Sequence, residues 1–469
     1  MKYSLSPVSK RIQSALLGLP PEEALRLRDD LRRTSEERGM IMYSRTGQRK
    51  VISIALRPWL VTPRQRRWIL QACFILKRHL HRILDLYMRF EKVRSILPLT
   101  PQEQEWFGLV QTQGRLGPQT VFDRLDAAVG FSGPGLQDDF KFLETNSVGV
   151  GGVYYVPVCS EMYLDVVCPR IRESLRGVSL SRPDDIRELL MAEILHHGQK
   201  IGRPIRRIAF LEDQSGASGT DEYLNVGRYF ERRGLEAYLS DPREIYLKHG
   251  ELCFKDHPID LLYRDTEIDE LIQIERGEKR SLQALKHAFV NHQVVSSLAG
   301  EFDHKSAFEL FSNEEFAFLF PARDWAFLKS HVAWTRLIWD RKTPGPDGRP
   351  VDLLPYIERH RGQLIIKPNR AYGGKDVLLG PSASSAIWAK AVERAARQPK
   401  AWVIQAYIGS PEEIYPVIDQ HGRVRTDRFS AVSGFAATQK GLAILGRFSK
   451  ENIVNVSRKG GLIAVLQVS

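Results

Sequence analysis

The feature that most constrains the fold of this chain is a polar pair inside an apolar, strand-like run. Glu144 and Asn146 are two residues apart in this run, and Arg124 and Asp126 form a second such pair upstream. Side chains at positions i and i+2 of a strand project from the same face. The segment 130–135 between the pairs is rich in glycine and proline, which favours a chain reversal. The sequence therefore predicts a hairpin that brings the four polar side chains together.

The chemistry of these side chains indicates a metal site. Carboxylate and amide oxygens are hard ligands of the kind that hold Mg²⁺ against phosphate groups. Asp126, Glu144 and Asn146 are therefore candidate metal ligands, with Arg124 beside them. Either pair alone says little, so the prediction depends on both lying at hairpin distance.

A second constraint is the segment 364–380, whose pattern predicts a strand, a glycine-rich loop and another strand. Gly373 and Gly374 would allow backbone amides to approach an anion closely, and Lys367 and Lys375 add positive charge. The pattern is typical of a phosphate-binding loop. The alternative is an ordinary hairpin turn.

An apolar strand follows at 402–408, interrupted by the polar Gln405. Such a strand is suited to form a wall beside an adenine ring. The alternative interpretation is a core strand with no role in binding.

Taken together, these motifs resemble the ATP-grasp fold. The lysine, the glycine loop and the apolar strand resemble its nucleotide-binding half, and R-x-D with E-x-N resembles its metal-binding half, as in D-alanine–D-alanine ligase. In that ligase the lysine and glycine loop come first, whereas here E-x-N precedes Lys367. This order, with the closing segment 447–461, resembles the circularly permuted ATP-grasp family, which includes relatives of glutathionylspermidine synthetase. The similarity extends from about residue 38 to the C-terminus.

The resemblance implies ATP and Mg²⁺ as cofactors and assigns site residues. It places the metal on Asp126, Glu144 and Asn146 and gives catalytic roles to Arg124 and Arg447. The residues that it implies for nucleotide binding are Lys305, Lys367, Tyr372, Gly373, Gly374, Lys375, Gln405 and Tyr407. For Lys305, a solvated helix lysine is the alternative.

The resemblance also implies the reaction of a carboxylate–amine ligase. A small-molecule or peptide carboxylate would be phosphorylated by ATP, and an amine would displace phosphate from the acyl phosphate to leave an amide. One departure is Ala406, where relatives usually have an acidic residue after the hinge glutamine. Ribose contacts would then be weakened or would move, with Glu412 and Glu413 as candidates. A catalytically inactive ATP-binding partner protein is the alternative function.

Composition is that of an ordinary globular protein. The 469 residues have room for two or three domains, and 43% hydrophobic with 26% charged residues is typical of such chains. No run of eighteen apolar residues predicts a membrane span. The four cysteines show no C-x-x-C spacing, so a reducing, cytoplasmic location is expected.

The formal net charge of +12 allows two interpretations. A nucleic-acid-binding protein would have such a charge, and so would an enzyme that binds ATP or an anionic substrate. The basic residues are scattered, densest in 64–89, and we find no zinc finger, RNP-like motif or polybasic tail. Nucleic acid is therefore the less favoured partner.

The predicted fold class is α+β, a circularly permuted ATP-grasp fold with an inserted parallel α/β domain. We expect a mainly helical region over 1–100, a first ATP-grasp half over 101–203, the pre-ATP-grasp α/β domain over 204–300 and a second half over 301–469. Strand and helix patterns alternate within 206–295 and predict the parallel unit. Thr62 is predicted to cap a helix that begins at Pro63, and His79 is predicted to be an ordinary helix-surface residue.

Overall fold

A computed structural model describes residues 5–43, 47–112, 115–131, 136–215, 219–409, 411–451 and 460–468. The chain mixes helices and strands throughout these ranges. The α-helices are Pro7–Leu17, Pro21–Glu37, Pro63–Leu80, Ile83–Arg89, Glu91–Ile96, Pro101–Leu109, Leu136–Asp139, Tyr155–Met162, Ile186–Lys200, Glu222–Glu231, Ile268–Glu278, Gln283–Val290, Ala307–Ser312, Ala322–His331, Leu353–Arg359 and Ser385–Arg397.

The large sheet is mostly antiparallel. Its long strand Val424–Thr438 pairs with Gly441–Ser449 on one side and with Arg124–Ala128 and Glu412–Ile418 on the other. The described strands of the large sheet, in chain order, are Ser53–Ile54, Arg124–Ala128, Lys141–Asn146, Glu412–Ile418, Val424–Thr438, Gly441–Ser449 and Gly460–Ile463. The sheet thus joins strands from widely separated parts of the sequence.

The predicted polar hairpin is confirmed within this sheet. Arg124–Ala128 and Lys141–Asn146 are antiparallel, and their register sets Arg124 opposite Asn146 and Asp126 opposite Glu144. Most of the turn-forming segment lies outside the described residues. The hairpin places both polar pairs beside each other at one end of the large sheet.

The C-terminal part of the chain was expected to return to the sheet of the Arg124 strand. Gly460–Ile463 does so, pairing with Gly441–Ser449, while residues 452–459 lie outside the described ranges. The last strand, Val465–Val468, leaves the large sheet and pairs with Trp59–Val61.

The small sheet is antiparallel and comes from residues 335–406. Its strands are Thr335–Leu337, Trp402–Ala406, Leu364–Pro368 and Leu378–Leu379, in that spatial order. The helices Leu353–Arg359 and Ser385–Arg397 cover one face, with Ile357, Trp388 and Val392 buried against Ile366 and Ile404. The small sheet therefore has its own hydrophobic core.

The parallel sheet lies within residues 207–295, where alternating strands and helices were predicted. Its described strands are Glu236–Ser240, Arg207–Leu211, Leu261–Arg264 and Val294–Val295, in that spatial order. Each neighbouring pair of strands is parallel. The helix Glu222–Glu231 follows the strand Arg207–Leu211 in the sequence and packs beside that strand. The predicted parallel α/β arrangement is thus observed.

The first hundred residues are mainly helical, with short strands at 41–43, 49–51, 53–54 and 59–61. The predicted helix begins at Pro63, and Thr62 caps it by accepting a hydrogen bond from the Gln65 amide at 3.2 Å. The prediction for His79 was wrong. This side chain is buried, and its Nε2 lies 2.9 Å from an Asp324 oxygen on another helix.

Among the described residues, no helix combines the length and apolar character that crossing a membrane requires.

Candidate functional site

One cavity of about 440 Å³ lies where the large, small and parallel sheets meet, and we call it the site cavity. It contains almost every residue that the sequence singled out. The predicted residues that line it are Arg124, Asp126, Glu144, Asn146, Lys305, Lys367, Tyr372, Gly373, Gly374, Gln405, Tyr407 and Arg447. The fold therefore brings these side chains together, while their roles stay predictions.

Asp126 is buried between two arginines. Arg124 donates to it from Nε at 2.7 Å and from a terminal nitrogen at 3.1 Å, and Arg447 donates at 2.6 Å. Burial alone would raise the pKa of Asp126, but the two arginines outweigh it and hold this pKa below its usual range. Both carboxylate oxygens are thus already used, and this geometry does not favour Asp126 as a metal ligand.

A glycine on the neighbouring strand makes room for this cluster. A Cβ atom on Gly434 would lie 2.7 Å from an Asp126 oxygen and 2.8 Å from Cδ of Arg124. Any larger residue at this position would displace the paired side chains. The absence of a side chain at Gly434 on the strand Val424–Thr438 therefore leaves the space that the cluster occupies.

Glu144 and Asn146 have fewer contacts than Asp126. About a third of the Glu144 side chain is exposed, and its carboxylate lies 3.8 Å from the ammonium group of Lys305. The Asn146 amide nitrogen is buried without a hydrogen-bond partner in the described structure. Glu144 and Asn146 therefore supply the side-chain oxygens of the hairpin that remain available to bind a cation. No group of three His, Cys, Asp or Glu side chains suited to a metal occurs among the described residues.

The two predicted nucleotide lysines lie close to this pair. Lys367 is buried at the end of Leu364–Pro368, and its Nζ donates to the Gln405 side-chain oxygen at 2.8 Å. The Lys305 Nζ donates to the Ala371 carbonyl at 2.6 Å. Burial lowers the pKa of Lys367, opposed by the nearby Glu144 carboxylate. The lysines therefore approach the cavity from two segments of the chain.

Gln405 has a positioning role that the sequence did not show. Its side-chain nitrogen donates to the Leu143 carbonyl and to Thr335 Oγ1, both at 2.9 Å, while its oxygen accepts from Lys367. All these contacts fix the amide in one orientation. Gln405 thus links the small sheet to the polar hairpin and holds the Lys367 ammonium in place.

The glycine loop turns sharply at Gly373 and Gly374, with φ values of +67° and +70° that side chains rarely adopt. Tyr372 donates from its hydroxyl to Asp303 at 3.1 Å. Lys375 is exposed and does not line the site cavity, so the structure does not bring this predicted residue to the others. Two consecutive left-handed residues direct the chain outward before Lys375.

The predicted hinge strand Trp402–Ala406 forms one wall of the site cavity through Gln405 and Ala406. Apolar side chains surround this end of the cavity, including Leu143, Ile365 and Leu379. The adjoining Tyr407 is half-buried, and its amide donates to the Gln363 carbonyl at 2.8 Å. This end of the cavity is suited to a flat apolar group.

Sequence reasoning missed the opposite wall, which we call the acidic wall and define as Asp265, Glu267 and Glu270. Asp265 follows the strand Leu261–Arg264, at the carboxyl end of the parallel sheet where α/β sheets commonly bind ligands. The acidic run that follows this strand could have predicted the wall.

Carboxyl groups on the acidic wall hold protons unusually tightly. Burial, with the neighbouring Glu212 and Glu222 carboxylates, raises the pKa of Asp265 to about 8. Burial, with Asp303 and Glu301, also raises the pKa of Glu267 to about 8. Like charges close together in a low-dielectric environment disfavour ionisation. The acidic wall is therefore a site that a bound cation would help to ionise.

The backbone approaches the acidic wall closely at Gly149. A Cβ atom there would lie 2.3 Å from an Asp265 oxygen, and the residue has a φ of +62°. Only glycine fits this position, because both the space and the conformation exclude a side chain.

Comparison with solved structures shows what fold this is. The chain is similar to a glutathione synthetase-like effector from Globodera pallida, with 9% identity, a TM-score of 0.62, and coverage of 96% of this chain and 98% of that one. At this identity the likeness shows the fold alone.

Two further structures match less well. A putative gamma-glutamylcysteine synthetase from Methylobacillus flagellatus is 10% identical with a TM-score of 0.38, over 88% of this chain and 90% of that one. D-alanyl-alanine synthetase A from Vibrio cholerae is 10% identical with a TM-score of 0.26, over 51% of this chain and 87% of that one. No family model and no curated protein matches the sequence.

Proposed function

We propose that the protein is an ATP-dependent carboxylate–amine ligase that forms an amide or peptide bond and releases ADP and phosphate. The observation that carries this proposal is the convergence in one cavity of Lys305, Lys367, Glu144 and Asn146 with an arginine cluster. Cations suited to phosphates thus face oxygens suited to a divalent metal. The proposal agrees with the synthetase-like description of the protein that shares the fold.

The small sheet would bind the nucleotide. Lys367 and Lys305 would contact the phosphates, and Gln405 would keep Lys367 oriented through the hydrogen bond at 2.8 Å. The apolar side chains Ile365 and Leu379 would contact the adenine ring. Ala406 provides no carboxylate for the ribose, so those contacts would come from elsewhere, and Glu412 and Glu413 were the candidates from sequence. Glu413 is excluded because its carboxylate binds Arg57 at 2.8 Å within the core.

The residues present fit magnesium in part. Glu144 and Asn146 would hold the ion, since one carboxylate and one amide oxygen suffice when substrate phosphates and water complete the coordination. The Asn146 amide nitrogen has no hydrogen-bond partner among the described residues. When bound, magnesium neutralises charge on the β- and γ-phosphates. Asp126 would act through the arginines that it orients.

The chain's own residues would then direct two transfers. A substrate carboxylate oxygen attacks the γ-phosphorus, the bond to the β-phosphate oxygen breaks, and ADP leaves. Arg124 and Arg447 would stabilise the resulting acyl phosphate from fixed positions. An amine next attacks the acyl carbon, and phosphate leaves with the electrons of the broken C–O bond.

The amine would arrive beside the acidic wall. Burial keeps the Asp265 carboxyl group, with its pKa of about 8, largely protonated near neutral pH. The positive charge of an arriving ammonium group would favour the ionised form of this carboxyl group, which can then accept the amine proton. Asp265 would be the acceptor, because it lies at the carboxyl end of the parallel sheet and lines the same cavity. No side-chain nucleophile is required in this scheme.

The proposed function includes a domain arrangement. The chain would be a circularly permuted ATP-grasp protein with a helical region over 1–100, halves over 101–203 and 301–469, and an inserted pre-ATP-grasp domain over 204–300. Support comes from the large sheet, in which Arg124–Ala128 pairs with Val424–Thr438 despite their separation in sequence. The parallel sheet falls between the two halves in the chain.

Release of ADP tests the proposal. The protein would be incubated with ATP and Mg²⁺ and with pools of amino acids, short peptides and polyamines. We expect continued ADP release only when a carboxylate and an amine are both supplied. Hydroxylamine in place of the amine should trap the acyl intermediate as a hydroxamate. ATP binding without turnover in any pool would instead support the inactive ATP-binding partner. Binding of nucleic acid that falls steeply with salt and ignores ATP would contradict both.

A further inference from the structure

A second cavity, of about 650 Å³, lies behind the large sheet, and we call it the back cavity. Its walls are the helix Pro21–Glu37, the segment 49–56 and the strand Glu412–Ile418. Arg447 lines the site cavity, whereas Phe448 lines the back cavity. Successive residues of a strand project to opposite faces, so the two cavities lie on opposite faces of the sheet.

The floor of the back cavity is apolar. Leu31, Ile54, Val417 and Phe448 line it, and all except Leu31 remain partly exposed. Apolar surface left in water is unfavourable. The volume falls within the range of roughly 300–1,000 Å³ that small-molecule sites occupy. The floor therefore fits the apolar part of a small ligand.

The rim of the back cavity is basic on both sides. Arg28 and Arg32 lie one turn apart on the same face of the helix, and Arg49 and Lys50 lie on the facing segment. Within the described ranges, neither Arg49 nor Lys50 forms an ion pair.

Acidic groups on the rim are fewer. Glu36 also lines the cavity and lies 3.5 Å from Arg32, while Arg28 lies 3.0 Å from Asp29, which does not line it. All of these pairs are largely exposed, and such pairs are weak. The four cations therefore exceed the one carboxylate that faces the cavity.

We propose that the back cavity binds a single-chain amphipathic anion of the fatty-acid type. Its hydrocarbon chain would lie on the apolar floor, and its carboxylate would lie between the helix arginines and Arg49 with Lys50. Arginine and lysine form charge-assisted hydrogen bonds with such a group. The surface is recessed, which fits a monomeric ligand and not a bilayer, whose binding requires a protruding apolar face. This site does not depend on the proposed ligase function.

Calorimetric titration with dodecanoate below its micelle concentration tests the proposal. We expect saturable binding with one site per chain. In the double variant Arg28→Glu/Arg32→Glu the affinity should fall at least about tenfold, since two charge-assisted contacts are replaced by repulsion. The matched control is Arg26→Glu/Arg33→Glu, which makes the same charge change on the same helix at exposed positions outside the cavity. Its affinity should stay within about twofold of wild type.

A second variant and two probes complete the test. Arg49→Glu/Lys50→Glu should also weaken dodecanoate binding, and it leaves the helix unchanged. Uncharged dodecanamide and acetate should each bind at least about tenfold more weakly than dodecanoate. Equal loss in the matched control, no saturable binding, or binding only to anionic phosphatidylglycerol vesicles would overturn the proposal. ATP affinity, measured on the same variants, should not change, which separates this site from the proposed ligase site.

Discussion

The two sides of the site cavity differ in whether their buried charged groups have partners of opposite charge or hydrogen-bond acceptors. On the hairpin and small-sheet side, Arg124, Arg447, Lys305 and Lys367 each donate to a protein oxygen. On the parallel-sheet side, the members of the acidic wall form no ion pair within the described structure. The cations are therefore held in position by protein oxygens, whereas burial favours protons on Asp265 and Glu267. One side is organised before any ligand arrives, and the other would change its charge when a cation binds.

The largest expected effect tests the organised side at its exposed carboxylate. Glu144→Gln should lower turnover by at least about a thousandfold, roughly 4 kcal/mol of transition-state stabilisation, because it removes the charge that would hold magnesium. The side chain is about one-third exposed, so the fold should survive. ADP release measures the loss, with the exposed Glu393→Gln as control. Normal ADP release from a folded Glu144→Gln protein would contradict the metal assignment.

Asp126→Asn makes the same charge change on the residue opposite Glu144 and should act on stability. It leaves Arg124 and Arg447 without their shared carboxylate in a buried position. Breaking a buried ion pair by removing one partner costs about 3–5 kcal/mol. Denaturant unfolding should show this loss for Asp126→Asn and a much smaller one for Glu144→Gln. Equal unfolding midpoints for the two variants would remove the distinction between them.

Lys367→Ala tests whether the partnered lysine contributes to nucleotide binding. ATP binding should weaken by roughly 1.5–3 kcal/mol, the usual range for a hydrogen bond to a charged group. A binding titration measures it, with Lys390→Ala on an exposed helix position as control. Comparison with Lys375→Ala sharpens the result. The sequence predicts that Lys375 contacts the nucleotide, whereas its exposed position in the structure predicts only a small loss of ATP affinity. Unchanged affinity in Lys367→Ala would refute the nucleotide assignment.

The smallest effect concerns the acidic wall and its pH dependence. The folded-state pKa of Asp265 is about 8, above the ordinary value of 3.8, so the folded state binds more protons between these values. Stability must then fall as pH rises through this window. Asp265→Asn should remove part of this loss and raise the melting temperature at pH 8.5 by about 2 °C relative to wild type, with little change at pH 5. Thermal unfolding at both pH values checks this.

The exposed variant Asp138→Asn is the control for Asp265→Asn. If both variants shift the melting temperature equally at pH 8.5, the effect is one of net charge, and the acidic wall has no special role.

Local patterns in the sequence predicted the parts of the site that depend on neighbouring residues. Spacing of two along a strand placed Glu144 beside Asn146, and the hairpin register placed both near Asp126. The lysine and glycine loop also followed from a short segment. These features were predictable because strand geometry fixes which side chains share a face.

Contacts between distant segments were not predictable in this way. Arg447, which binds Asp126, lies 321 residues from it in the sequence. Asp324, whose carboxylate accepts a hydrogen bond from His79, lies 245 residues from that histidine. No periodicity reports such a pair. The acidic run of the acidic wall is visible in the sequence, but its approach to Gly149 is not, because this approach depends on how the parallel sheet packs against the hairpin. The role of Gln405 likewise could not be predicted, because it depends on the positions of the three groups that this side chain contacts.

The pairing of Arg124–Ala128 with Val424–Thr438 has a consequence for how this protein is made. The hydroxyl of Ser433 donates to the Ala127 carbonyl across 306 residues of chain. At roughly 5–20 residues per second, a ribosome needs about 15–60 s to supply the second strand after the first has emerged. During that time the hairpin has one open edge, and its apolar face lacks a partner. Newly made chains should therefore be most prone to aggregate, and most in need of chaperones, until the strand Val424–Thr438 has been synthesised.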